Sequence, residues 1–272
     1  MAKLILSSGC FNGNVLKTIQ AAHKLKFDGI ELMLPSLEWN DFENTKRLLN
    51  KYKVKVYTIH MPLFSLEIVK SFKKFLNLNS FLFLLRITSS LLYSRIVNKT
   101  LKAAQKLDAE NIVIHPAMYL FFRRRAEGNM HQIFKKIAPQ KINILLENME
   151  YGQIFTFPEI SKLYEFIQKY NLGMTLDTSH CCRRRFKLTE LFEKYQNKIK
   201  NIHLSNAQGR KTHLNFWKGE LDLKTFLKAI QKRKYNGLIT FELRPDSTLK
   251  SVQKNKELVV NYLKMMNKSK GL

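Results

Sequence analysis

Eight short apolar runs, separated by stretches of helical spacing, constrain the fold of this 272-residue chain more than any other feature. They are Leu4 to Leu6, Gly29 to Leu34, Val54 to Ile59, Asn111 to Ile114, Ile142 to Leu146, Leu172 to Leu176, Ile199 to Ile202 and Leu238 to Phe241. Such runs are too short for helices and read as strands buried on both faces, the habit of a parallel sheet. Helical spacing is found around Val15 to Leu25, around Phe42, Leu48 and Leu49, over Leu101 to Leu107, and over 247–267 before a short basic tail. The long connection after the third run holds enough apolar residues for two helices ahead of Leu101. Strand and helix alternating eight times predict an α/β protein, a (β/α)8 TIM barrel, in a single domain over 1–272. No linker rich in Pro, Gly or Ser divides it. An open doubly wound sheet is the competing architecture, but Gly9-Cys10-Phe11-Asn12-Gly13 lacks the dinucleotide-binding spacing.

What closes the runs carries the chemistry. The ends hold His60, His115, Glu147, Asp177 with His180, His203 and Glu242, and His213 follows in the loop after the seventh strand. Five of the seven His lie at these ends or loops, whereas His23 and His131 fall in helical stretches. In a barrel of this kind the C-terminal ends of the strands converge on one mouth. Asn171 to His180, reading NLGMTLDTSH, is the clearest case: a buried strand delivers Asp177 at its tip and His180 in the loop beyond. One such residue is equally explained by a loop backbone group that needs a partner. The set points to a metal site, because mixed imidazole and carboxylate ligands are those of zinc and manganese.

The charge narrows the ligand. Lys and Arg number 47 against 21 Asp and Glu, a formal +26, which favours polyanions: nucleic acid, anionic membrane or phosphorylated metabolites. A general Lys bias explains much of the excess Lys. It explains the Arg poorly: six of twelve stand in two triplets, Arg123, Arg124, Arg125 and Arg183, Arg184, Arg185, each following a strand-end His. With Arg210 and Arg244 they fall on the mouth, and Arg suits bidentate phosphate recognition; solvated loop charge is the competing account. Tyr119, Phe121 and Phe122 either stack a base or sugar or pack on the rim. Three Cys, two adjacent, form no disulfide framework and point to a reducing compartment. Met1 to Cys10 has no long apolar core, and Phe81 to Tyr93 contains Arg86 and falls short of the roughly 18 residues of a membrane span. The expectation is a soluble cytoplasmic protein without a membrane partner, its oligomeric state left open.

The ordered segments TIHMP, NIVIHP, ILLENM, LDTSH, IHLSN, THL and FELRP resemble the xylose isomerase-like TIM barrels, collinearly from about Lys3 to Pro245. That superfamily includes sugar and sugar-phosphate isomerases and epimerases, and endonuclease IV. The resemblance implies a central divalent ion (Zn, Mn or Mg) on Glu147, Asp177, His203 and Glu242. In endonuclease IV relatives, further metals use the positions of His60, His115, His180 and His213. This chain departs from them at Lys211, where those relatives have Asp, and a protonated Lys repels a cation. Gly29-Ile30-Glu31-Leu32 and Gly219-Glu220-Leu221-Asp222 look more like the isomerase branch. The expectation ranked first is therefore a metal-dependent isomerase or epimerase of a small anionic sugar, acting through an enediolate with Glu147 and Glu242 as proton-transfer groups. The second is an endonuclease IV-like AP endonuclease that hydrolyses DNA phosphodiesters with zinc.

Overall fold

The computed structural model describes residues 2–36, 39–62, 78–119, 123–137, 141–150 and 155–268, the side chains of 78–91 and 266–268 excepted. Eight parallel strands close on themselves: β1 (Lys3–Ser7), β2 (Gly29–Met33), β3 (Val56–His60), β4 (Asn111–Ile114), β5 (Asn143–Glu147), β6 (Gly173–Asp177), β7 (Ile199–Leu204) and β10 (Leu238–Phe241). The order round the barrel is β1-β10-β7-β6-β5-β4-β3-β2, the (β/α)8 topology expected from the eight runs. Helices separate the strands, beginning with α1 (Val15–Lys24) and ending with Leu249–Lys268.

Among the described residues the connection after β3 carries one continuous helix, Leu78–Lys106; the expectation of two helices falls in part on residues 63–77, outside the described set. The seventh strand runs on to Leu204. After it comes an unpredicted antiparallel hairpin, β8 (Asn206–Gln208) and β9 (Lys211–Leu214). No helix among the described residues is long and apolar enough to cross a membrane.

Alternation along each strand explains the layering. On β6, Met174 and Leu176 join the large apolar core between sheet and helices, where Phe134, Phe192, Phe226 and Phe241 are also fully buried. Thr175 and Asp177 alternate with them and are buried too, on the polar inner face. Gly29 and Gly173 let adjacent strands close at the floor of the barrel. A Cβ on Gly29 would collide with the Lys55 carbonyl and the Tyr57 ring, and one on Gly173 with the Leu145 side chain. The inner face is therefore apolar at its floor, where Ile5, Tyr57 and Leu238 cluster, and polar towards the mouth.

Candidate metal centre

The strand ends bring the sequence-predicted ligands together. Glu147 and Asp177 are the last residues of β5 and β6, His203 lies in β7, and Glu242 follows β10 directly. One donor atom from each of the four lies within 4.8 Å of the others, and all four residues are buried. Three further groups share carboxylates with it: His60, His115 and Glu147 on one side, Asp177, His180 and His213 on the other, and His60, His203 and Glu242. His60 ends β3 and His115 follows β4.

Two positions differ from expectation. His180 lies in a short helix, Thr178–Arg183, not a loop; Asp177 caps it, its Oδ1 accepting from the His180 N–H at 2.7 Å and the Ser179 hydroxyl at 2.8 Å. His213 stands in β9 with φ 55°, a left-handed conformation costly for a side chain with a Cβ. The main chain there is pinned by the Arg244 N–H, which donates to the His213 carbonyl at 2.8 Å.

The imidazoles are held with one nitrogen occupied. Nδ1 of His60 donates to the Met61 carbonyl at 2.6 Å, Nδ1 of His180 to the Asn148 carbonyl at 2.8 Å, and Nδ1 of His213 to the Glu242 carbonyl at 3.2 Å. Nε2 of His203 donates to Glu31 Oε2 at 3.1 Å. In each case the other nitrogen is the one available to a cation, the arrangement that orients metal-binding histidines.

The donors fit a cation on two counts. Asp177 Oδ2, His203 Nδ1 and Glu242 Oε2 are buried without a hydrogen-bond partner among the described residues. His203 Nδ1 and Glu242 Oε2 stand 2.8 Å apart, yet neither atom forms a hydrogen bond among the described residues. Groups that converge without bonding each other are arranged around something between them, since an unpaired buried polar atom costs about 1–3 kcal/mol. Secondly, His60 Nε2, His115 Nε2 and Glu147 Oε2 form a triangle with every edge 3.3 Å. A regular tetrahedron with that 3.3 Å edge has its centre about 2.0 Å from each corner, which is the Zn–N distance.

The electrostatics ask for positive charge. Burial pushes the Glu147 carboxyl up, but the His203 charge and the neighbouring His115 and His60 imidazoles outweigh it and hold it well below the usual range. Burial pulls His60 down, yet the Glu147 bond and the charges of Glu31, Glu147 and Glu242 lift it to about 9. Burial likewise opposes charge on His203, and Glu31, Glu242 and Glu147 raise it well above its ordinary value. His115 goes the other way, lowered by burial. In the metal-free cage, protons on imidazoles supply the charge that four buried carboxylates demand.

The Arg residues divide. Arg123 Nε donates to Glu127 at 2.8 Å and to the Thr156 carbonyl at 3.1 Å. Arg183 pairs with Glu150 at 2.8 Å, and Arg184 donates to the Pro158 carbonyl while lying 4.5 Å over the Phe186 ring. These three hold loops in place. Arg124 and Arg125, in the first turn of the helix Arg123–Ile137, and Arg185, Arg210 and Arg244 are exposed, Arg244 with Asp246 at 3.3 Å. Tyr119 is half-buried; Phe121 and Phe122 lie outside the described residues.

Two residues given no role in the sequence belong to the site. Asn148 staples β5 to β6, its amide donating to the Asp177 carbonyl at 3.1 Å and accepting from the Asp177 N–H at 2.8 Å. Glu31 backs His203; a lone carboxylate inside an apolar strand was its signal.

Residues 19–268 match the xylose isomerase-like TIM barrel family, and the chain belongs to it. An uncharacterised protein of Methanocaldococcus jannaschii is 30% identical over 211 residues, 74% of this chain and 74% of that one. Among solved structures, a D-tagatose 3-epimerase-like protein superposes with TM-score 0.75 at 20% identity, covering 98% of this chain and 99% of the other. An AP endonuclease, family 2, from Brucella melitensis gives TM-score 0.68 at 17% identity, covering 92% and 96%. At these identities the two structures bear on the fold alone.

Proposed function

We propose that this member of the xylose isomerase-like TIM barrel family is a metal-dependent phosphoesterase that hydrolyses phosphodiester bonds of a nucleic-acid strand. The observation that carries the reading is the setting of Glu147. Its Oε2 lies 3.3 Å from both His60 and His115 and 3.6 Å from His203, and its Oε1 lies 3.4 Å from His180. Oε2 is enclosed by three imidazoles and is ill placed to take a proton from a sugar carbon, which is what an isomerase asks of the residue on β5, while the His180 Nδ1 beside Oε1 already donates to Asn148. A carboxylate that belongs to two of the ligand groups suits a bridge between cations. Asp177 has the same double membership on the other side.

Zinc or manganese matches this donor set, and when bound it supplies Lewis acidity at phosphoryl oxygens and lowers the pKa of water. The chain's own residues do the rest. Glu147 and Asp177 join neighbouring groups, and the backed imidazoles hold their lone pairs in place. Exposed Arg124, Arg125, Arg185, Arg210 and Arg244 offer the mouth to successive phosphates, in keeping with the formal +26.

The isomerase or epimerase reading stands second, and Lys211 favours it. It is exposed on β9, two residues before His213, which forms with Asp177 and His180 the group that a third cation would need. On that reading one ion binds centrally and Glu242 moves the proton of a small anionic sugar. The two separate in one experiment: zinc- or manganese-loaded protein is given a duplex with an abasic site and, separately, a phosphorylated ketose. Incision abolished by Glu147→Gln is expected. Exchange of a ketose C–H proton with solvent, without incision, would install the isomerase.

A further inference from the structure

Glu31 is a fully buried carboxylate that the hydrolytic reading does not use. Its neighbours in register are Ser7 on β1 and Thr58 on β3. Its Oε2 instead reaches across the barrel to β7, accepting from His203 Nε2 at 3.1 Å and from Asn201 Nδ2 at 3.2 Å. The Thr240 hydroxyl donates to Asn201 Oδ1 at 2.8 Å and fixes that amide. Glu31 Oε1 has no partner among the described residues.

Orientation alone does not call for such a group. His60, His180 and His213 are oriented by neutral main-chain carbonyls, at no cost in buried charge. Of these four rings, His203 is the one whose far nitrogen meets a carboxylate. Such a hydrogen bond is charge-assisted, roughly twice as strong as a neutral one, and makes the imidazole a better donor at its other nitrogen.

We propose that Glu31 ranks the cation sites: it makes the Glu147, Asp177, His203 and Glu242 site fill first and hold its ion most tightly. The outer groups, in which His60, His180 and His213 are backed by neutral acceptors, fill later and exchange. Glu31 is a positioning residue, acting through His203. The proposal rests on reading the cluster as a metal centre and is independent of the ester cleaved.

Zinc titrated into the metal-free full chain, with its seven His labelled with nitrogen-15 and followed by NMR, tests it. The first equivalent should move His203, and later equivalents His60 with His115 and His180 with His213. Glu31→Gln keeps an acceptor oxygen and removes the charge. It should weaken the first zinc by about 10- to 100-fold and abolish the lead of His203. The metal-free melting temperature should hold or fall, because Glu31→Gln removes one charge of the buried Glu31–His203 pair, so zinc affinity and filling order carry the test. Unchanged affinity and order in Glu31→Gln overturn the proposal, as does a lower metal-free melting temperature with zinc affinity intact. Wild-type protein in which His60 and His115 move first overturns it without any variant. Protein that takes up no zinc overturns the metal centre itself, and the ranking with it.

Discussion

The Nε2 atoms of His60 and His115 stand 3.3 Å apart, at the ends of adjacent strands, and both face the same oxygen of Glu147. Two imidazoles brought this close need either a shared proton or a shared cation. With a cation between them, His115→Ala should remove one metal equivalent per chain and leave the central ion in place. Elemental analysis of the dialysed variant checks this, and loss of every equivalent would show that the groups are not separable.

The proton alternative gives a pH dependence in metal-stripped protein. His60 is raised from 6.5 to about 9 in the fold. A base whose folded pKa is raised contributes stability that is full below its unfolded pKa and fades as pH rises through the folded one. The His60 contribution should therefore be present below about pH 6.5 and gone above about pH 9. Chemical denaturation of stripped wild type and His60→Gln, compared across that window, measures it. Saturating zinc should preserve the difference on the alkaline side, where a cation takes the proton's place.

Asp177 does two jobs that substitutions separate. Its Oδ1 caps the Thr178–Arg183 helix while its Oδ2 is left to the centre. Asp177→Asn retains a capping side chain, so its metal-free stability should stay near wild type while metal retention and activity fall. Asp177→Ala should also lose about 0.5–2 kcal/mol from the missing cap. Equal metal retention in Asp177→Asn and wild type would remove Asp177 from the centre.

The barrel was readable because its strands are short, apolar and separated by helical spacing, and because β3, β5 and β6 end on the residues that do the chemistry. The hairpin of β8 and β9 was not. Three- and four-residue strands such as Asn206–Gln208 carry too few positions to show a period. Glu31 was legible as a strand residue, but its partners His203 and Asn201 are 172 and 170 positions away. The Arg triplets looked uniform in sequence. The fold splits them by whether a Glu or a carbonyl lies in reach, as for Arg123 and Arg183.

That split predicts two behaviours. Gln at Arg124, Arg125, Arg185, Arg210 and Arg244 should leave the melting temperature unchanged. It should lower the salt slope of nucleic-acid binding by about 0.9 for each Arg that touches a phosphate. Arg183→Gln frees Glu150 from its 2.8 Å partner and should lower the melting temperature. Slopes equal to wild type in the five-site variant would take nucleic acid away from this face.

The central claim is that these residues form a centre for more than one cation. Metal content per chain of purified protein, after equilibration with zinc and removal of loose ions, tests it most directly. The account predicts at least two equivalents, falling by one in His115→Ala. A single equivalent in wild type, unchanged in that variant, would contradict it and leave a one-metal centre of the isomerase kind.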